Sequence, residues 1–258
     1  MTAPTFRPCL VIPVYDHERA IGDTLAGLRG HGLPCFLVDD GSHSACAAVL
    51  DGLASTESAW VTLLRLTPNQ GKGAAVMAGF EAAAAAGFTH GLQFDADGQH
   101  NADDVPRLLA LAQRHPRALV TGIPQYDDSV PKSRLYGRYV THVWVWINTL
   151  SLHIRDSMLG FRVYPLAPAL QVWRTQTVGR RMDFDTEIMV RMFWEGIEVL
   201  SLPTRVTYPA DGVSHFDVLR DNLRISRMHA RLFVGMLWRL PRLLWRRLLP
   251  RPSVEIRP

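Results

Sequence analysis

The stretch QFDADGQH (93–100) sets two carboxylates, Asp95 and Asp97, one residue apart behind a short apolar run. Two negative charges this close repel one another unless a positive charge lies between them. One or two carboxylates, completed by substrate phosphates and water, form the oxygen ligand set that Mg²⁺ or Mn²⁺ prefers. Asp95 and Asp97 are therefore predicted to hold a divalent cation together with a diphosphate.

Two other stretches offer contacts to a nucleotide or its phosphates. VDDGS (38–42) ends an apolar run with Asp39, whose carboxylate can accept hydrogen bonds from a ribose or a base. NQGKG (69–73) opens a helical segment with two glycines and Lys72, and backbone N–H groups at a helix start together with a cation favour a phosphate. Each pattern has a plain alternative, because DDGS is often a simple turn and Lys72 can be a solvated lysine. Their joint occurrence is a stronger signal than any one of them.

Apolar runs of strand length precede these stretches and alternate with helical segments. The runs are Cys9–Val14, Cys35–Asp40, Trp60–Leu66, His90–Asp95 and ALVTG (118–122). Apolar strands separated by helices indicate a mostly parallel α/β sheet with helices on both faces. Ligands of such sheets bind beyond the carboxyl ends of the strands, so one crevice is predicted to contain Asp39, Asp40, Asp95 and Asp97.

Composition describes an ordinary globular chain with an uneven charge distribution. Of 258 residues, 47% are hydrophobic and 20% charged. Residues 1–128 contain 8 Lys and Arg against 14 Asp and Glu, whereas the remainder contains 20 against 10. The second half is therefore expected to meet an anionic partner. Cys9, Cys35 and Cys46 form no CxxC pair and are predicted to be buried free thiols in a reducing cytoplasm.

The C-terminal part of the sequence is strongly basic. The segment 224–251 contains eight arginines and no acid, interleaved with Leu, Met, Phe and Trp. Such a helix is typical of a bilayer interface with anionic lipid, and the aromatic segment 139–154 is a second candidate. The alternative is that both stripes pack on the domain or on a partner. No secretory leader and no apolar run long enough to span a membrane is recognised. Nucleic acid is not predicted, because no known binding motif accompanies the arginines.

The motifs VIPVYDHE, LVDDGS, NQGKGAAVMAGF, DADGQH and GFRVY occur in the order and spacing of a known family. The chain resembles the family 2 inverting glycosyltransferases with the GT-A fold, and within them the dolichol-phosphate mannose synthase and polyprenyl-phosphate glycosyltransferase branch. The similarity covers about Leu10 to Tyr208. The chain departs from the family pattern at Asp16, where asparagine is usual. It also departs at Met158 and Leu159, where this branch tends to have polar or small residues.

The resemblance implies a nucleotide-sugar donor and assigns residues to it. It places Pro13, Tyr15 and Glu18 in the donor pocket, Asp39 at the nucleoside and Lys72 in the donor region. Asp95 and Asp97, with Gln99 adjacent, would take Mg²⁺ or Mn²⁺ and the donor diphosphate, and Asp97 is the central catalytic candidate. A GT-A domain over residues 1–212 is expected, with a nucleotide-binding half (about 1–125) and an acceptor half (about 126–212), followed by the basic amphipathic tail (213–258).

The acceptor half contains further candidates. In DFDTEI (183–188), Asp185 is the first choice and Glu187 the second for a base that takes a proton from a hydroxyl acceptor; plain helix capping is the alternative. Arginine forks suit phosphate oxygens, so the group predicted to hold an acceptor phosphate is Arg134, Arg138 and Arg162. Solvated surface arginines are the alternative for that group.

Together these features predict a metal-dependent inverting glycosyltransferase at the inner face of the cell membrane. A polyprenyl phosphate is the leading acceptor, and a hydroxyl of a lipid or pigment intermediate is the second. Two other readings stay open: a nucleotidyltransferase that makes the sugar nucleotide, and a membrane-associated binding subunit without turnover.

Overall fold

A computed structural model of the chain describes residues 5–126, 130, 132–207 and 217–248. The strands are β1 (Pro8–Val14), β2 (Cys35–Asp39), β3 (Val61–Arg65), β4 (His90–Gln93), β5 (Leu119–Tyr126), β6 (Arg162–Pro165) and β7 (Val199–Val206). The α-helices are α1 (Ile21–Arg29), α2 (Ser44–Thr56), α3 (Lys72–Ala85), α4 (Val105–Arg114), α5 (Lys132–Thr149), α6 (Leu166–Thr175), α7 (Phe184–Glu195) and α8 (Val218–Leu248). A short 3₁₀ turn, Ala102–Asp104, precedes α4.

The strands form one mixed sheet in the order β3-β2-β1-β4-β6-β5-β7. The neighbours among β1 to β4 pair in parallel, as the alternation of apolar runs and helices predicts. β6 is antiparallel to β4 and β5, and β7 returns parallel to β5. Because β1, β2 and β4 all end at the same edge, Val14, Asp39 and Gln93 bring their following loops together there.

Helices cover both faces of the sheet with separate apolar cores. One face packs residues such as Leu10, Ile12 and Leu37 against α1, α2 and α4. The other packs Val11 and Val38 against α3, α6 and α7. Strand side chains alternate between the two faces, so neighbouring residues of β1 enter different cores. The three cysteines are buried free thiols, as predicted.

The C-terminal helix α8 is packed along part of its length. Met228, Leu232, Met236 and Leu243 recur at helical spacing and are buried in the same core as α7. The indole N–H of Trp194 on α7 donates to the carbonyl of Asn148 on α5, which joins the helices beneath α8. The described part of the predicted tail, residues 217–248, therefore contributes to the core of the domain, and the first turns of α8 lie beside the cleft described next.

Candidate active site

A cleft of about 530 Å³ opens at the carboxyl ends of the parallel strands. The loops after β1, β2 and β4 supply one part of its wall, and α8 with the segment before α7 supplies another. The lining residues that bear on the chemistry are Pro13, Tyr15, Asp40, Lys72, Asp95, Asp97, Gln99, Arg181, Arg220 and Arg224. Six of the predicted donor and metal residues line the cleft: Pro13, Tyr15, Lys72, Asp95, Asp97 and Gln99.

Lys72 lies at the centre of the acidic part of the cleft. Its Nζ is 2.7 Å from Asp95 Oδ2 and 2.8 Å from Asp185 Oδ2. Gln93 Nε2 donates to Asp185 Oδ1 at 2.9 Å, and it lies 3.4 Å from Asp95 Oδ1. The lysine thus joins the loop after β4 to the start of α7, and its side chain is mostly buried.

The charges of this group shift each other's pKa values. Burial alone would lower the pKa of Lys72, but Asp185 and Asp95 raise it above its ordinary value. Burial alone would raise the pKa of Asp95, but Lys72 and His100 hold it below its usual range. The ammonium and the carboxylate are therefore both charged at neutral pH. Gly160 lies against Asp95, since a Cβ there would collide with its carboxylate.

Asp40 shapes the loop that leads into α3. Its two carboxylate oxygens accept the backbone N–H groups of Gln70 and Gly71, each at 2.8 Å. Burial raises the pKa of Asp40, and the two N–H bonds partly offset this. Gly71 has φ +100, a conformation that L side chains rarely adopt, and a Cβ there would meet the carbonyl of Arg180. The acid and the glycine together place Lys72 at the first position of α3.

Asp97 lies in a tight turn beside Asp95, half-buried in the cleft wall. Its Oδ1 accepts the N–H of Gln99 at 3.1 Å. Within the described ranges, no group of three or more His, Cys, Asp or Glu is close enough to hold a metal by itself. Two carboxylates beside an open cleft suit a hard divalent cation that takes its other oxygen ligands from a diphosphate and water. The residues present therefore fit the predicted Mg²⁺ or Mn²⁺.

Two predicted donor residues do not line the cleft. Asp39 is buried, and its carboxylate accepts Ser42 N–H at 2.9 Å and Arg65 Nε at 2.8 Å. Glu18 is half-buried, and its Oε2 is buried with no hydrogen-bond partner among the described residues. Contact of either residue with a nucleoside stays a prediction. The neighbouring Asp40, which was predicted to lie in the same crevice but was given no role there, lines the cleft.

The two candidate bases at the start of α7 have other partners. Asp185 is paired with Lys72 and hydrogen-bonded to Gln93, as described above, and it is not among the residues that line the cleft. Glu187 is fully buried; its Oε1 accepts Arg191 Nη2 at 2.7 Å, and its Oε2 accepts Gly179 N–H and Arg231 Nη2, each at 2.8 Å. Glu187 thus ties α8 to the segment before α7. A proton-accepting role for either carboxylate stays a prediction.

The predicted acceptor-phosphate arginines are held within the protein. Arg138 forms a two-pronged ion pair with the buried Asp156, with Nη2 2.7 Å from Oδ1. Arg162 is fully buried and donates to the carbonyl of Asp185 at 2.5 Å and to the hydroxyl of Tyr164 at 3.2 Å. The side chain of Arg134 lies outside the described residues. Phosphate contact by these arginines stays a prediction.

Sequence reasoning did not single out Arg181, Arg220 and Arg224 as cleft residues. The signal that was available is the spacing of Arg220, Arg224, Arg227 and Arg231, which places four arginines on one flank of a helix. The packing that brings the first turns of α8 to the cleft could not be predicted from this spacing.

Comparison with known proteins supports the resemblance noted above. The model of the family described as "Glycosyl transferase family 2" matches residues 9–169. A polyprenol monophosphomannose synthase of Mycolicibacterium smegmatis is 27% identical over 225 residues, which cover 82% of this chain and 81% of that protein. An undecaprenyl-phosphate 4-deoxy-4-formamido-L-arabinose transferase of Pseudomonas fluorescens is 34% identical over 110 residues, or 40% of this chain and 32% of that protein.

A solved structure confirms the predicted GT-A fold. The glucosyl-3-phosphoglycerate synthase of Mycobacterium tuberculosis, solved with Mn²⁺, uridine-diphosphate-glucose and phosphoglyceric acid, has a TM-score of 0.64 to this chain at 13% identity. The match covers 90% of this chain and 80% of that one. At this identity the likeness is one of fold.

Proposed function

We propose that this chain, which belongs to glycosyl transferase family 2, transfers a sugar from a nucleotide-sugar donor to a polyprenyl phosphate with inversion at the anomeric carbon. The observation that carries the proposal is the convergence of Lys72, Asp95, Asp97 and Gln99 on one cleft at the strand ends. The relatives named for transfer to polyprenol or undecaprenyl phosphate support the choice of acceptor.

The donor diphosphate is proposed to bind beside Asp95 and Asp97. These two carboxylates would hold Mg²⁺ or Mn²⁺, which supplies positive charge to the leaving diphosphate. Lys72 fixes Asp95 by a 2.7 Å ion pair, and Asp40 fixes the loop before Lys72. The chain's own residues thus orient the acids before the donor arrives, which avoids reorganisation during the reaction.

The transfer step balances without a protein base when the acceptor is a phosphate. An acceptor phosphate oxygen, already anionic, attacks the anomeric carbon from the face opposite the leaving group. The bond from that carbon to the donor phosphate oxygen breaks, and the nucleoside diphosphate leaves with the electron pair. This suits a site in which Asp185 and Glu187 are both occupied by ion pairs. A hydroxyl acceptor would instead need one of them to take a proton.

The membrane is proposed to meet an exposed apolar surface shared by α5 and α8. On α5 it contains Tyr136, Val140, Trp144 and Ile147, and on α8 Phe233, Val234, Leu237, Trp238 and Trp245. The rings of Trp144 and Phe233 lie 6.3 Å apart, so the two parts adjoin. Trp238 is 84% exposed. We call this set the α5–α8 apolar surface.

Charge specifies which membrane this surface would meet. Arg220, Arg224, Arg227, Arg231 and Arg242 lie on one flank of α8, next to its apolar residues. Basic residues beside an apolar helix face are attracted to anionic lipid, which is abundant on the cytoplasmic leaflet. Within the described residues, no helix is long and apolar enough to cross a bilayer. Peripheral binding at the inner face of the cell membrane is therefore the proposed location.

A donor panel tests the proposed function directly. The full chain is incubated with Mn²⁺ or Mg²⁺, individual UDP- and GDP-sugars, and farnesyl phosphate, and the products are identified by mass spectrometry. A farnesyl phosphosugar and a nucleoside diphosphate are expected. Transfer to farnesol but not to farnesyl phosphate would favour the hydroxyl acceptor. Release of pyrophosphate from a sugar phosphate and a nucleoside triphosphate would identify a nucleotidyltransferase and refute the proposal.

A further inference from the structure

The cleft wall formed by α8 contributes two arginines that lie on a different element from the proposed donor residues. Arg220 and Arg224 line the cleft, one helical turn apart, together with Arg181 from the segment before α7. Asp40, Lys72, Asp95 and Asp97, by contrast, come from the loops after β2 and β4 and from the start of α3. The cleft therefore has cationic groups on a second element, beyond those that fit the donor diphosphate.

The contacts of these arginines leave donors available. Arg220 Nε lies 3.7 Å from Asp217 Oδ2, and both side chains are largely exposed. An exposed pair of this kind contributes little to stability and exchanges readily for a stronger anion. Arg224 Nη1 donates to Asp221 Oδ1 at 2.7 Å, which uses one of its five N–H groups and fixes the guanidinium in place.

The two nearby acids are engaged in building the helix start. Asp217 Oδ1 accepts the N–H groups of Leu219 and Arg220 at 3.1 and 2.9 Å. Asp221 Oδ2 accepts the N–H of Asp217 at 2.9 Å. These bonds satisfy backbone donors that a helix leaves without partners in its first turn. They also position Arg220 and Arg224 along the cleft.

Apolar residues alternate with the arginines on the same turns. Leu219 is 81% and Leu223 50% exposed, and they continue toward the α5–α8 apolar surface. A ligand that joins a phosphate to a long hydrocarbon chain needs this combination of adjacent cationic and apolar contacts. We infer that Arg220 and Arg224 bind the phosphate of the polyprenyl phosphate acceptor, and that Leu219 and Leu223 contact the start of its hydrocarbon chain. This inference rests on the proposed function.

Steady-state kinetics of single and double variants tests this inference. The probes are farnesyl phosphate, used below its aggregation concentration, and the sugar nucleotide that the donor panel selects. Arg220→Ala and Arg224→Gln are expected to raise the KM for farnesyl phosphate about tenfold each, and the double variant about 100-fold. The donor KM and the slow hydrolysis of donor by water should stay within twofold of the wild type. Arg114→Ala, an exposed arginine at the end of α4 and outside the cleft lining, is the control and should leave the acceptor KM unchanged.

Several results would overturn the inference. An unchanged KM for farnesyl phosphate in the double variant would overturn it. A rise in the KM for the sugar nucleotide, with no rise in the KM for farnesyl phosphate, would also overturn it. A thermal unfolding measurement guards against misfolding of Arg224→Gln; if it unfolds early, Arg220→Ala and Arg224→Lys carry the test, with a smaller rise expected for the lysine. Inorganic phosphate should compete with farnesyl phosphate in the wild type and less in the double variant. If the wild type transfers sugar to no phosphate acceptor at all, the proposed function fails, and this inference fails with it.

Discussion

Lys72 Nζ lies 2.7 Å from a carboxylate oxygen of Asp95 and 2.8 Å from one of Asp185, so one ammonium joins the loop after β4 to the start of α7. A single positive charge between two acids neutralises part of their repulsion where water is scarce. It also means that Asp185, the first candidate for a base, already has a partner. The site is therefore best described as a prearranged set of charges that the donor completes.

Asp185→Asn separates a positioning role from a base role. If Asp185 holds Lys72, the variant should lose about tenfold in kcat/KM with farnesyl phosphate, because Lys72 keeps Asp95 as its partner. If Asp185 were a general base, the loss would exceed about 1,000-fold. The measurement is steady-state kinetics at several pH values, with thermal unfolding to confirm folding. A loss of the larger size in a folded variant would contradict the positioning role.

The buried pair of Arg138 and Asp156 is expected to stabilise the fold. Asp156→Asn keeps an oxygen for the N–H groups of Met158 and Leu159 but removes the negative charge that faces the mostly buried Arg138. Such a change costs about 3 kcal/mol in the free energy of unfolding. Burial alone would raise the pKa of Asp156, but His142 and Arg138 lower it. The stabilisation is therefore present above the unfolded pKa and is lost as the pH falls toward the folded one.

Urea unfolding at pH 7 checks this expectation against a matched control. Asp51 pairs with Arg65 at 3.1 Å on the surface, with both side chains well exposed. Asp51→Asn should therefore cost less than about 1 kcal/mol. Equal losses in the two variants would show that burial does not strengthen the Arg138 pair.

His229 should make the attachment of α8 sensitive to acid. Its ring stacks on Trp144 at 5.9 Å, its Nδ1 lies 3.3 Å from Asn148 Nδ2, and burial lowers its pKa to about 4. The unfolded chain takes up a proton near pH 6.5 and the folded chain only near pH 4, so stability falls as the pH drops between these values. From pH 7 to pH 5 the extra loss is about 2 kcal/mol.

The comparison with His229→Gln isolates this titration, because the other histidines are common to both proteins. The free energy of unfolding of the variant should fall less between pH 7 and pH 5 than that of the wild type. Parallel pH profiles for the two proteins would show that His229 takes up its proton equally well in the folded state.

Binding to lipid vesicles tests the α5–α8 apolar surface. Trp238→Ser combined with Trp245→Ser removes its two most exposed indoles, so binding to vesicles with 30% anionic lipid should weaken at least tenfold. Val49→Ser, an exposed apolar residue on α2, is the control and should bind like the wild type. Binding by the wild type should weaken as salt is raised, since the arginine flank contributes. Vesicle binding that does not depend on the tryptophans would place the contact elsewhere.

Much of the donor half could be predicted from the sequence because its signals are local. Apolar runs fix the strands, and the residue that follows a parallel strand must lie at the ligand-binding edge. The order of strands and helices was enough to predict that Asp95, Asp97 and Lys72 lie in one cleft. It did not distinguish Asp39 from Asp40, since adjacent residues at a strand end point in opposite directions and the sequence does not show which one faces the cleft.

The acceptor half was less predictable because its contacts join distant segments. Arg138 finds Asp156 eighteen residues away, and Glu187 binds Arg231 across forty-four, and neither pairing follows from spacing within one helix. In the sequence, an arginine at the start of α8 looks like a solvated helix residue. Only the burial of Met228 and Leu232 in the core brings that helix to the cleft. For the same reason, no contact between the C-terminal helix and the site could be predicted from the sequence.

Asp95 and Asp97 are proposed to share a divalent cation with the donor diphosphate. Mn²⁺ binding can be followed by electron paramagnetic resonance in the presence of UDP or GDP, for the wild type, for Asp97→Asn, and for Asp103→Asn, an exposed acid nearby as the control. Shared coordination predicts nucleotide-dependent binding of Mn²⁺ by the wild type and the control, weakened at least 100-fold in Asp97→Asn. Equal Mn²⁺ affinity in all three proteins would contradict it.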